Sequence, residues 1–220
     1  MAVTSRSFAV IGLGSFGSTV ATELQRSGNT VAGIDIDEKR VSRVAEHLSS
    51  TAILDATDED ALREIGIDGY GAAIVAIGDD IEASILTTMN LKLVGVETIW
   101  VKAAGKAHHR ILSKLGVDRV IQPEQEMGRH IAQMLNNPAV QDYVSLGNGF
   151  HVVNILVPER LEGKTLDALK IGKSHDLQLL GLMRGTDYVD CDNGGLTLRE
   201  KDKLLVLGKR ADLRRFGNSL

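Results

Sequence analysis

The run Gly12-Leu13-Gly14-Ser15-Phe16-Gly17 follows the apolar stretch Phe8–Ile11 and opens a segment that runs towards Gly28. Three glycines at this spacing between a strand and a helix have separate uses: a tight turn at Gly12, a backbone open to phosphate at Gly14, and close helix–strand packing at Gly17. Unpaired N–H groups of the helix's first turn, led by Ser15 and Phe16, would then face an anion favoured by the helix dipole. The next β-branched run ends at Asp35, 18 residues after Gly17, where an acid accepts hydrogen bonds from both ribose hydroxyls. Strand, loop, helix, strand and acid together predict a nucleotide-binding βαβ unit; the alternative is three glycines that serve packing alone. Asp37 has two readings, a cap on the following helix or a contact to ribose or the adenine edge. Asp35 with no arginine immediately after it argues against a 2′-phosphorylated cofactor, and the loop does not separate NAD from ATP, ADP or AMP.

The same rhythm continues along the chain. Short runs at Thr30–Asp35, Thr51–Leu54, Ala72–Ile77, Thr98–Lys102 and Arg119–Ile121 alternate with longer amphipathic stretches. That is the pattern of an α/β fold, a Rossmann-like doubly wound parallel sheet covered by helices. A helix after Asp80 carries Ile81, Ile85, Met89 and Leu93, a stripe expected to pack on the sheet. Another, about residues 124–137, carries Met127, Ile131, Met134 and Leu135 and stops at Asn136-Asn137-Pro138, because proline cannot continue a helix. The domain boundary is placed there, giving a nucleotide-binding domain over 1–138 and a small α+β domain over 139–220. In the latter, strands at Phe150–Val157, Leu177–Met183 and Lys203–Leu207 are separated by Gly163, Gly172, Gly185 and Gly194-Gly195. A domain of roughly 80 residues is marginal alone and is expected to gain core by pairing with another copy.

Composition removes several function classes. The longest purely apolar run is Ala72–Ile77, far short of the roughly 20 residues a membrane helix needs. No charged segment followed by an apolar stretch marks the start for export, and the single cysteine, Cys191, suits a reducing cytoplasm. A net charge of −4 gives no general attraction to nucleic acid or anionic lipid. A dehydrogenase would need a positioned acid or base beside the nicotinamide, and the small second domain offers few candidates. His108-His109 is the one histidine pair; adjacent helical positions diverge by about 100°, so a solvated helix face is expected for them rather than one metal site. His47, His130, His151 and His175 stand singly. A nucleotide sensor without a reaction is the reading that remains.

Five separated segments, Phe8-Ala9-Val10-Ile11-Gly12-Leu13-Gly14, Asp35-Ile36-Asp37, Val75-Ala76-Ile77-Gly78, Ile99-Trp100-Val101-Lys102-Ala103 and Gln122-Pro123-Glu124-Gln125-Glu126-Met127-Gly128, resemble the KtrA/TrkA family in the same order. These are cytosolic regulators of potassium channels built from RCK domains, and the likeness covers nearly the whole chain. The resemblance implies a phosphate loop at Gly12, Gly14 and Gly17 and a ribose contact at Asp35. It also implies adenosine and phosphate borders at Ala56, Thr57, Ile77 and Gly78, and a lysine, Lys102, approaching a phosphate. Glu124 would help hold a divalent cation, magnesium or calcium, at a subunit interface. Ser15 stands where relatives commonly carry arginine, which removes a charge-assisted contact to a third phosphate; ATP, ADP, NAD and NADH all stay open as ligands. In some relatives the C-terminal domain binds cyclic di-AMP, whose contact residues find no match here. The implied assembly is a homodimer that builds an octameric ring beneath an integral-membrane potassium pore, with no nucleic acid partner and no membrane insertion of its own. Two rival readings are a small NAD-dependent oxidoreductase and a redox-sensing DNA-binding regulator; the latter would need a basic recognition helix, which no segment supplies.

Overall fold

The computed structural model describes residues 6–136, 140–174, 176–191 and 195–220. The chain divides into two compact units, residues 1–123 and 124–220.

In the first unit the elements alternate: β1 (Ser7–Ile11), α1 (Ser15–Arg26), β2 (Thr30–Asp35), α2 (Glu38–Val44), β3 (Ser50–Ile53), α3 (Glu59–Glu64), β4 (Ala72–Val75), α4 (Ile81–Val94), β5 (Ile99–Lys102), α5 (Lys106–Leu115) and β6 (Arg119–Ile121). All six strands run parallel in the order β3-β2-β1-β4-β5-β6. Alternation along β1 shows how both faces are covered: Ala9 and Ile11 join one core with Leu62, Leu91 and Leu112 of α3, α4 and α5, while Val10 joins another with Ala21 of α1 and Val41 and Val44 of α2. The strand order reverses between β1 and β4, and that is where an open α/β sheet leaves a crevice at the carboxyl ends of its strands. β4 ends two residues short of the expected run, since Ala76 and Ile77 leave the ladder for the loop beyond it; the Ala76 amide still donates to the Ile11 carbonyl at 2.7 Å.

α4 corrects one expectation. Ile81, Met89 and Leu93 of the expected stripe are exposed, and the buried face is Ser84, Thr87, Thr88 and Leu91. The helix is apolar on nearly every side, so spacing singled out no face. Small side chains let it lie close on the sheet, and the Thr88 hydroxyl is satisfied by the Ser84 carbonyl at 2.7 Å.

The second unit opens with α6 (Pro123–Asn136), followed by β7 (Val140–Gly147), β8 (Phe150–Leu156), α7 (Ile171–Ser174), β9 (Gln178–Arg184), β10 (Asp187–Val189), β11 (Lys203–Lys209) and α8 (Arg210–Ser219). The division after residue 123 places α6 with this unit, not with the first as the proline stop suggested; its His130 lies 3.6 Å from Asp142 of β7. The stop itself falls partly on 137–139, outside the described residues, as do Gly194 and His175. The strands are antiparallel in the order β10-β9-β11-β8-β7. Val153 and Ile155 of β8, Leu204 and Val206 of β11 and Leu213 and Phe216 of α8 form its core. Gly172, expected in a turn, lies in α7. Asp202, buried just before β11, receives both Arg184 Nε at 2.9 Å and Nη2 at 2.7 Å, and the Arg199 amide at 2.9 Å. α6 contributes no buried residue: Met127, Ile131 and Leu135 are left exposed on this chain.

Candidate functional site

The three loop glycines do different work. Gly12 has φ +92°, and a Cβ there would meet the Ala76 and Ile77 backbone at 3.0 Å. At Gly17 a Cβ would fall 1.8 Å from the Gly12 carbonyl oxygen. Both positions are closed by the protein itself. Gly14 differs: a Cβ there would have no neighbour within 4 Å, so the chain leaves its surroundings open. Gly14 also caps α1 without a side-chain hydrogen bond, and the first turn of α1 carries no acid. Asp37, Asp58 and Asp80, by contrast, each accept amides at the starts of α2, α3 and α4. The N–H groups of Ser15 and its neighbours, like those that open α5 after Gly105, have no capping side chain, and those of α1 lie beside the glycine loop, open to an anion.

Asp35 ends β2 and is buried. Its Oδ2 accepts the Leu13 amide at 2.6 Å and its Oδ1 accepts the Asp37 amide at 2.9 Å. An ionised carboxylate offers about four acceptor positions, so capacity for ribose hydroxyls remains after these bonds. Arg40 reaches back from α2, with Nη1 3.6 Å from Asp35 Oδ2 and Nε 3.8 Å from Asp37 Oδ2. Of its two readings, Asp37 fills the first: Oδ1 takes the Lys39 amide at 2.8 Å and caps α2.

A cleft of about 420 Å³ opens at the carboxyl ends of β1 to β4. Among the expected residues, Gly12, Gly14, Asp35, Ala56, Thr57, Ile77 and Gly78 line it; Ser15, Phe16, Gly17, Asp37 and Lys102 do not. Lys102 nonetheless stands beside the loop, its Nζ 5.9 Å from the centre of the Phe16 ring and near enough to Gly78 that a Cβ there would meet it at 2.9 Å. The loop after β3 is held by Asp55, which accepts the Thr57 amide at 2.9 Å and its hydroxyl at 2.7 Å. Asn90 of α4 donates to the Thr57 carbonyl at 2.8 Å and ties that loop across the cleft.

Sequence reading missed the α2 and α4 contributions: Arg40, Asp80, Glu82, Leu86 and Thr87 all line the cleft. The lone signal for α4 is Asp80, an acid directly before the helix, which caps it. Thr87 is fully buried and its hydroxyl finds no partner among the described residues. Ile36, adjoining Asp35, is 67% exposed at the cleft, an apolar surface for a flat base. An open backbone at the helix start, a buried acid and an exposed apolar platform fit a nucleotide.

No group of three or more His, Cys, Asp or Glu able to hold a metal ion occurs among the described residues. Glu124 is exposed in the first turn of α6. The histidine pair is not a uniformly solvated face: His108 is buried, accepts the Ala104 amide on Nδ1 at 3.2 Å, and burial lowers its pKa, whereas His109 is part-exposed. His151 is also buried, stacked on Tyr143 at 4.5 Å. Among the described residues no helix is long and apolar enough to cross a membrane.

Residues 8–123 match the TrkA-N domain and residues 150–220 the TrkA-C domain. The Ktr system potassium uptake protein A of Bacillus subtilis (strain 168) is 37% identical over 216 residues, covering 98% of this chain and 97% of that protein. Its counterpart from Vibrio alginolyticus is 38% identical over 213 residues, covering 97% of each. The crystal structure of the GsuK RCK domain superposes with a TM-score of 0.67 at 13% identity, over 98% of this chain and 48% of that one. The GsuK channel bound to NAD gives 0.63 at 12% identity, over 97% and 39%. These two show the fold alone, and this chain spans about half of their length or less. Domain matches over both units and full-length identity to potassium uptake proteins lead to one assignment: the chain belongs to the TrkA-N/TrkA-C family of Ktr potassium uptake proteins.

Proposed function

We propose that this chain is the cytosolic, nucleotide-sensing gating subunit of a potassium uptake system, acting on an integral-membrane pore that it does not itself form. The observation that carries the reading is the pairing of an open, uncapped helix start at Gly14 with a buried acid at Asp35 on one cleft. The ligand is an adenine nucleotide, with phosphates on the amides after Gly14 and the ribose on Asp35. Lys102, beside Phe16 and Gly78, supplies positive charge near those phosphates, in place of the arginine that Ser15 replaces. ATP, ADP and NAD(H) are the candidates, and a channel of the same fold that binds NAD supports the last. Family membership favours this reading over an oxidoreductase or a DNA-binding regulator, because the relatives are potassium uptake proteins.

Gating needs no hydrolysis. A ligand shifts a two-state ring only through different affinities for the two shapes, and a full switch takes about 5.5 kcal/mol. Shared over the eight sites of an octameric ring, each needs less than about 1 kcal/mol, provided the sites act in concert. The exposed stripe of Met127, Ile131 and Leu135 on α6 serves dimerisation in this assembly. A magnesium or calcium ion at Glu124 would require further oxygens from nucleotide phosphates or a second copy. In some relatives the C-terminal domain binds cyclic di-AMP, and no residue here is assigned to it. Denaturing the purified protein and identifying what it releases by mass spectrometry tests the reading: an adenine nucleotide is expected, and a chain that neither releases nor rebinds one refutes it.

A further inference from the structure

We propose that the groove between α1 and α2 is a subsite for a phosphate-class anion, separate from the nucleotide cleft and joined to it through Arg40. The groove holds about 270 Å³, below the roughly 300–1,000 Å³ of sites for drug-sized ligands, so it takes a group and not a whole nucleotide. Arg40, Arg43 and His47 line one wall at spacings of three and four, and Ser18, Thr19 and Thr22 line the other. No acid is among the lining residues.

The cations differ in what already holds them. Arg40 lines both cavities and is shared with Asp35 and Asp37. Arg43 donates Nε to the Lys39 carbonyl at 3.2 Å, and its terminal nitrogens have no acceptor among the described residues. A guanidinium with both ends of its fork available matches a tetrahedral oxyanion better than a single point charge does. On the opposite wall the hydroxyls of Ser18, Thr19 and Thr22 donate to the carbonyls of Gly14, Ser15 and Ser18, at 2.8, 2.9 and 2.9 Å. Rotation about the C–O bond redirects each proton to an incoming anion.

The position gives the groove a consequence. Through Arg40 it adjoins the acid placed on the ribose, so its phosphate comes either from the 2′ position of a nucleotide seated in the cleft or from free phosphate. Asp35 with no arginine directly after it speaks against a 2′-phosphate, but a guanidinium arrives from α2, five positions on, and stands 3.6 Å from that acid. The link to a nucleotide rests on the function proposed above, whereas the groove's affinity for phosphate does not.

Two calorimetric arms decide it, each with the full chain as wild type, Arg43→Gln and His47→Gln. Neither residue lines the cleft, and both are exposed, so the variants keep the wild-type affinity for NAD⁺. One arm titrates inorganic phosphate into protein saturated with NAD⁺; the other compares NADP⁺ with NAD⁺. Phosphate binding to the loaded protein assigns a free anion, and NADP⁺ binding comparable to that of NAD⁺ assigns the ribose phosphate. In either case Arg43→Gln weakens that response by about tenfold, the loss expected for one charge-assisted contact. Responses in both arms that ignore Arg43→Gln and His47→Gln, or no response at all, overturn the subsite. If NAD⁺ itself does not bind, the dinucleotide link fails while ATP and ADP stay candidates for the cleft, and phosphate titrated into unloaded wild type and Arg43→Gln decides the groove alone.

Discussion

The Leu13 amide donates to Asp35 Oδ2 at 2.6 Å, so the glycine loop and the acid that ends β2 form one hydrogen-bonded unit before any ligand arrives. Asp35 also takes the Asp37 amide and thereby fixes the start of α2. Replacing Asp35 with Ala strands two backbone donors, and the expected loss is about 1–3 kcal/mol for each one that stays buried. Chemical denaturation should show that loss, and Asp35→Asn, which keeps one acceptor oxygen, should recover part of it. A variant as stable as wild type would mean the acid is not holding the loop.

Gly17 and Gly14 separate packing from binding. Gly17→Ala drives a methyl against the Gly12 carbonyl, and such overpacking costs about 1–3 kcal/mol or more. Gly14→Val meets no protein atom at its Cβ, and the backbone there is extended, so the variant should lose no more than about 1 kcal/mol of stability, the cost of a poorer N-cap residue, while losing nucleotide. Thermal scans of the two variants should therefore diverge.

The Asp202 clamp predicts an acid-sensitive second unit. Burial pushes its carboxyl up, but the Arg184 fork, the Arg199 amide and the charges of both arginines outweigh this and hold its pKa below the usual carboxylate range. A lowered folded pKa gives stability that is complete above the unfolded value of about 3.9 and is lost as pH falls through the folded one. Asp202→Asn should lower stability at neutral pH by about 3 kcal/mol, near the lower end for breaking a buried pair, and flatten the dependence below about pH 4. Unfolding curves from pH 2 to 7 check both the sign and the window.

On α6 the exposed stripe is the proposed dimer surface. Ile131→Glu or Leu135→Glu should reduce the assembly's mass in light scattering and leave far-ultraviolet circular dichroism unchanged, because neither side chain is buried in the single chain. An unchanged mass would place self-association elsewhere.

Much of this was readable from residue order because the signals were local. Gly12, Gly14, Gly17 and Asp35 sit within one βαβ unit, so their spacing alone puts them on one loop and helix start and at the end of the next strand. β7 escaped reading, although Asn148-Gly149, with φ of 51° and 79°, is the dipeptide that favours a tight hairpin. Arg40 escaped because its approach to Asp35 depends on how α2 packs across the sheet. The face of α4 was misjudged for the opposite reason: apolar residues on most sides leave the choice to tertiary contact, and close approach selected Ser84, Thr87 and Thr88. The place of α6 likewise followed from packing, not from the proline beyond it.

Titration calorimetry of ATP, ADP and NAD⁺ into nucleotide-free wild type and Gly14→Val tests the central claim most directly. The account predicts saturable binding of at least one of them, one per chain, that Gly14→Val weakens by about tenfold or more, the equivalent of about 1.4 kcal/mol. Wild type that binds none of the three, or a variant that binds as tightly as wild type, would contradict it.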